Sequence, residues 1–403
     1  MNETIKFIKQ KPEIHIPHKP VIFKMMEEMK MPSYPENFML EKIETETEPF
    51  KGSRCPEMQP LTGSIRACLD YMGENYGFID NNGGRLDKGT TYVYNLIGEA
   101  YTHDPTRMYA SNTLTNSLDG IQRLFKALDY DIEIYTTDPS RNDYLSKEQM
   151  KLHIQNHLFV KKRTVVTDGF WAVPMNYAVV GYEDNGDTLV GWNYHVFNFG
   201  PNPEPVVEKK SNWYEEASFF IFIGEQNTRA NEKELYKRVL HEAYYYLTDG
   251  KFMNLYSELI RLLRQSEDEC IAEARRNQEF LGEGVGMSAT DDEMGGGIAY
   301  RMLDPIWCCV SERRYYAAHF FKLAQTVFPE YGELLSQIES SFWAQSGLFG
   351  SEYLKEVGHD PVDREKFRDM AVRARMAEVV ENARQEEEKS IKLIKEVIDY
   401  MEA

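Results

Sequence analysis

The chain holds five cysteines in 403 residues, and no two of them stand in a Cys-x-x-Cys pair. Structural zinc centres and thioredoxin-type redox sites use such pairs, so neither is expected. An odd number of unpaired cysteines also gives no disulfide framework; reduced thiols are the expectation, and with them a cytoplasmic setting. Cationic residues are scarce: 46 Lys and Arg face 65 Asp and Glu, for a net charge of −19. Such a surface repels phosphate backbones, and nucleic acid is not an expected partner. No apolar run approaches the ~20 residues of a membrane-spanning helix, so no membrane partner is expected. Met1-Asn-Glu-Thr-Ile-Lys6 lacks the apolar core and cleavage site of a secretory leader. Glycine-rich Glu74–Leu86 has neither a Walker lysine nor a dinucleotide fingerprint; it reads as a turn region, and no cofactor is expected. No repeat of fixed period recurs, which excludes a solenoid.

Aromatic residues are abundant, with 25 Tyr and 21 Phe, and they supply a real core. The length fits two domains or more. Gln59-Pro-Leu-Thr-Gly-Ser-Ile-Arg-Ala-Cys-Leu-Asp-Tyr-Met-Gly73 organises the first. Pro60 suits a first helical turn, where its missing N–H would have no partner. Leu61, Ile65, Cys68, Leu69 and Met72 recur at helical spacing, and Gly73 supplies the stop.

Residues 1–50 read as an N-terminal arm, Pro-interrupted, with a short helix over Val21–Met29. Its His15 and His18 have no third ligand type nearby, so no metal site is expected. Beyond Gly73, a helix is predicted over Thr90–Tyr101. A second is predicted through Ile121–Leu128, capped by Ser117 or Asp119, and a third from the capping box Ser146–Gln149 to about Phe159. Strands are predicted over Ile132–Thr137, Arg163–Asp168 and Ser218–Ile223. Asn176–Tyr182 and Thr188–His195 form the clearest hairpin, turning at Asn185-Gly186, a type I′ signal. Strict pairing through that turn would set His195 opposite Asn176, with Asn193 on the same face.

Strand signals vanish near residue 231. Helices are predicted over Glu232–Leu247, Met253–Leu263, Glu267–Phe280, Asp304–Phe328, Tyr331–Trp343 and nearly continuously over Val362–Met401. Leu281–Gly297 reads as a loop, and Glu386-Glu-Glu388 as a solvated acidic patch. Tyr244–Tyr246 and Tyr315-Tyr316 read as packing between helices and between domains.

Thr62-Gly-Ser-Ile-Arg-Ala-Cys-Leu-Asp-Tyr-Met-Gly73 resembles the opening helix of the butirosin biosynthesis protein H N-terminal family. That family is papain-like and related to the bacteriocin-processing cysteine peptidases. Ala178-Val-Val-Gly-Tyr-Glu-Asp184 is similar to its histidine-bearing strand and turn, and Glu312–Phe321 to the helical extension behind such domains. The resemblance implies an α+β papain-like domain over 51–230 and an all-α helical domain over 231–403.

The matching positions lack the chemistry. Pro60 stands at the nucleophile's place and Gln59 at the preceding histidine's; proline cannot attack. Met175, Asn176 and Tyr177 stand where the general base would lie. Asn193 alone stands at the orienting position. Cys68 falls two turns into the helix at a core address, and Cys55 precedes Pro56 in a loop. The implied function is a catalytically inactive cleft that binds a small molecule or peptide in bacterial secondary or peptide metabolism. Gln59, Pro60, Thr62, Asn176, Tyr177, Asn193 and His195 would line it, and a homodimer is left open. One rival is an active cysteine acyltransferase or peptidase with a relocated nucleophile; the other is a protein-interaction module using the helical half.

Overall fold

The computed structural model describes residues 33–41, 60–74, 77–81, 84–101, 114–169, 176–192, 207–228, 231–248, 255–269, 272, 311–348, 355–358 and 363–403. Phe219-Phe-Ile-Phe-Ile223 is an unbroken apolar run, and every one of its side chains is buried. A strand apolar on both sides belongs inside a sheet covered on both faces. It does so here: β9 (Phe219–Gln226) pairs with β4 (Tyr130–Thr136) on one side and β5 (Val165–Thr167) on the other. The sheet continues antiparallel through β6 (Tyr177–Glu183), β7 (Thr188–Trp192) and β8 (Val207–Lys210), and β1 (Phe38–Met39) adds to β6. The turn region after Gly73 forms a separate small hairpin of β2 (Phe78–Asn81) and β3 (Gly84–Asp87).

Alternation assigns the two faces. Val165, Tyr177, Val179 and Phe222 pack with Met150, Ile154, Leu158 and Trp213. Val166, Ala178, Val180 and Ile221 pack with Leu61, Ile65 and Cys68 of α1 (Pro60–Tyr71). Next to α1 lies α2 (Lys88–Ile97), and against α2 lies α3 (Leu114–Leu128). Helix α3 starts earlier than expected, so Ser117 and Asp119 lie inside it rather than capping it. On the first face, α4 (Lys147–Gln155) opens with the Ser146 N–H donating to Gln149 Oε1 at 2.9 Å, then widens into a π-helical turn over Asn156–Val160. The short α5 (Trp213–Glu216) precedes β9.

From residue 231 on, every described element is helical: α6 (Glu232–Thr248), α7 (Leu255–Arg264), α8 (Glu312–Val327), α9 (Gly332–Gly347), α10 (Arg364–Arg368) and α11 (Met370–Glu402). The near-continuous C-terminal helix breaks at Asp369, whose carboxylate caps α11 by accepting from the Ala371 N–H at 2.8 Å. The chain is thus a mixed α+β fold. Its larger core runs without interruption from Leu61 and Phe125 through Tyr236, Phe320 and Phe342 to Ile398. Tyr316 of α8 stacks on Tyr94 of α2 at 4.1 Å, so the tyrosine runs do bind the two halves together.

The acidic patch expected at Glu386–Glu388 is not solvated as a unit. Glu387 pairs with the buried Arg314 guanidinium at 2.5 Å, and Glu386 accepts from Ser341 Oγ at 2.8 Å. Of the three only Glu388 is exposed, because the helix carries its neighbours round toward α8 and α9. The helices predicted over Val21–Met29 and most of Glu267–Phe280, the loop Leu281–Gly297, and residues 304–310 fall outside the described residues.

Candidate functional site

Three contacts fix how α1 lies on the sheet. Glu74, just past its C-terminus, accepts from the Tyr130 hydroxyl at 2.6 Å, and Tyr130 pairs with Gln226 at one end of the sheet. Arg66 donates to the Glu74 carbonyl at 3.3 Å. Cys68 lies beside Thr164, the residue before β5. The helix therefore runs back from the Gln226 end, and its N-terminal half covers the other end, where Asp168 follows β5 and Asn176 precedes β6.

Asn176 is fully buried, and neither its Nδ2 nor its Oδ1 has a hydrogen-bond partner among the described residues. Leaving a carboxamide dry on both ends is costly, so this atom pair stands out. Strand alternation puts Asn176 on the face of Ala178, under α1. Ser64, one turn before Cys68 on the same side of α1, is also fully buried, and its hydroxyl has no partner among the described residues either. Thr62, on the neighbouring face, donates to Glu99 just beyond α2. Burial raises the Glu99 carboxyl, while the charge of buried Arg313 and the Thr62 donor work the other way. Glu99 Oε1 has no hydrogen-bond partner among the described residues. Asp168 accepts from the Ser218 N–H at 2.7 Å, the Phe219 N–H at 3.4 Å and the Ser218 hydroxyl. Burial still leaves it above its ordinary value.

Thr62 and Asn176 thus share the helix side of the sheet. Tyr177 does not: it lies on the opposite face, packed with Tyr135 and Trp213, because adjacent strand residues point to opposite sides. Including Tyr177 with Asn176 in one lining is therefore corrected. Pro60 opens α1 as expected. Gln59, Asn193 and His195 lie outside the described residues, as do Cys55, His15, His18 and Met175. The pairing expected of His195 lies outside the described residues, but the strict frame that would set it opposite Asn176 is already lost within them. The register slips by one between Val179 and Gly181, so the hairpin does not hold one frame along its length.

Cys68 occupies the core address expected of it, and burial pushes its thiol up to about 12. Motif and periodicity miss Glu99, Arg313 and Asp168. The signal for Glu99 is its setting, an acid inside apolar Leu96-Ile-Gly-Glu-Ala-Tyr101. Arg313 has none, since its contact comes from more than two hundred residues away in sequence. Among the described residues no cluster of His, Cys, Asp and Glu is arranged to hold a metal ion, and no helix is long and apolar enough to cross a membrane. Comparison with protein-family models, curated proteins and solved structures gives no match.

Proposed function

We propose that this chain is a binding protein on a papain-like α+β frame, whose cleft takes a small molecule or peptide without thiol chemistry. The carrying observation is Asn176: a fully buried carboxamide, unpartnered at both ends among the described residues, beneath the N-terminal half of the central helix. In a papain-like frame that place belongs to the catalytic histidine. A carboxamide does not take up a proton near neutral pH, but it can hold a ligand by both edges. The order of helix first, antiparallel sheet later, supports the frame. Cys68 supports the absence of chemistry, for a thiol held at about 12 in an apolar core supplies almost no thiolate.

The test uses the whole chain with thioester and peptide substrates, and single Cys→Ala variants at Cys55, Cys68, Cys270, Cys308 and Cys309. No turnover is expected from any form. Turnover that one of these variants abolishes while its melting temperature holds would establish the relocated-nucleophile enzyme instead. For Cys68→Ala the expected change is in stability alone, about 1 kcal/mol from a small buried truncation.

A further inference from the structure

Among the described strands the sheet ends at β4 on one side and at β8 on the other. β8 carries Lys209 and Lys210, residues of the kind that guard a sheet edge against pairing. β4 has neither lysine nor proline. Its hydrogen-bonding frame follows from its C-terminal end. The Thr137 N–H donates to the Ser218 carbonyl at 3.4 Å, toward β9, whereas the Thr136 N–H donates away from β9, to the Asp143 carbonyl at 2.9 Å. Directions alternate along a strand, so Glu133 and Tyr135 bond β9, and the N–H and C=O of Ile132 and Ile134 point outward. On that outer side Thr136 is served by Asp143 and Leu145, but no described segment pairs with Ile132 or Ile134. The side chains along this edge alternate too. Ile132 and Ile134 lie half-buried against the larger core. Glu133 turns to the other face, where His153 Nε2 lies at 3.1 Å and the Tyr135 hydroxyl donates at 2.9 Å. The His153 bond, aided by Tyr135 and the Lys161 charge, holds the Glu133 carboxyl down to about 2, so it is ionised. Asp131 is exposed and accepts from the Asn227 amide at 3.2 Å; Asp129 accepts from the Thr228 hydroxyl. Those donors are neutral, so the negative charge of both aspartates is left to attract a cation.

We propose that the β4 edge docks an extended segment of a partner protein as a further strand, one in which apolar residues alternate with Lys or Arg. The backbone groups of Ile132 and Ile134 pair with it, its apolar side chains continue the Ile132–Ile134 surface, and its cations meet the carboxylates of Asp129, Asp131 and Glu133. The added strand is short, because Asp143–Leu145 already occupies the edge at Thr136. The edge lies apart from the helix-end site, since β9 and β5 stand between β4 and β6, and it does not depend on the binding reading above.

Fluorescence anisotropy with the full chain tests this, using labelled Val-Lys-Val-Lys-Val, the same peptide N-methylated at every residue, and Val-Glu-Val-Glu-Val. The lysine peptide should bind saturably. The N-methylated form keeps the charge but has no backbone donors, and it should bind at least tenfold more weakly, as should the glutamate peptide. Ile134→Pro removes an outward N–H and leaves the β9 ladder intact, and it should weaken the lysine peptide by roughly tenfold. Asp131→Asn combined with Glu133→Gln should weaken it several-fold and flatten its dependence on salt. No saturable binding of the lysine peptide would mean that the edge is merely guarded by its carboxylates, and the proposal falls. Equal binding of the N-methylated or the glutamate peptide, or unchanged affinity in a folded Ile134→Pro, also overturns it. Should Ile134→Pro fail to fold, the N-methylated comparison on the unaltered chain decides. Sedimentation velocity without peptide tests the other occupant: a dimer that Ile134→Pro dissociates would assign the edge to a second copy of this chain instead.

Discussion

At the scale of single residues, polar groups placed in the core set the sensitivities of this protein. Thr62 donates a hydrogen bond to Glu99, and both are buried. Thr62→Val keeps the shape but strips that donor from a buried carboxyl, which should cost about 1–3 kcal/mol in urea unfolding. A variant as stable as the parent would mean that Glu99 is satisfied by other means. His157 is the second case. It is buried against Phe222, with both ring nitrogens unpartnered among the described residues. Burial pushes it down to about 3, with Lys161, His153 and Arg163 adding to the effect. The unfolded chain therefore takes up a proton near the ordinary 6.5 while the folded one does not. Stability is lost as pH falls from about 6.5 toward about 3. His319, held down to about 4 by burial, acts in the same direction. His157→Phe should flatten the acid limb by roughly 2 kcal/mol at mildly acidic pH, read by denaturant unfolding across pH. An unchanged slope would show that His157 does not set that limb.

At the scale of elements, close backbone approaches decide what the sequence tolerates. Gly120 sits where α3 crosses the end of α2, and a Cβ there would meet the Ile97 carbonyl oxygen at 2.2 Å. Gly120→Ala should push the two helices apart and cost about 1–3 kcal/mol, visible as a lower melting temperature with the secondary structure kept. A neutral outcome would mean that the α2–α3 contact is loose. The β6–β7 turn shows a different limit. The Asn185-Gly186 signal correctly marks a reversal, but the chain turns over Asp184–Gly186, with Asp184, Asn185 and Gly186 all at positive φ. The turn's backbone groups are also held from outside the hairpin: the Glu36 carbonyl accepts from the Asn185 N–H at 2.8 Å, and Gln155 donates to the Asn185 carbonyl at 2.8 Å. The positive φ at Asn185 and Gly186 is what the Asn-Gly preference supplies, and Asp184, also at positive φ, lengthens the turn beyond those two residues.

At the scale of the whole molecule, the boundary near residue 231 divides secondary structure but not the core. Residues from Leu61 to Ile398 share one apolar cluster, and Arg314 of α8 donates both to the Ala100 carbonyl and to Gln345 of α9. Cutting the chain there would expose this cluster on both pieces. Scanning calorimetry should accordingly show one cooperative transition, and residues 1–230 expressed alone should fail to unfold cooperatively. Two separate transitions, or a stable N-terminal piece, would show two independent domains.

Local periodicity is enough to place most described helices and strands, because the 3.6 and 2.0 repeats are properties of neighbouring residues. It locates α1, its proline start and glycine stop, and the core address of Cys68, all from residues a few positions apart. Thr62 and Asn176 are marked instead by the resemblance to the papain-like family, which lines up the start of α1 and the strand before Gly181. Other matters only the tertiary structure decided. The slip between Val179 and Gly181, where β1 also pairs, moves the hairpin's register, and alternation sends Tyr177 to the far face. The Arg313 charge beside Glu99 and the turn of Glu387 toward Arg314 join residues remote in sequence. Which buried polar group finds a partner is settled by what packs against it, and for Asn176 and Ser64 the described residues supply none.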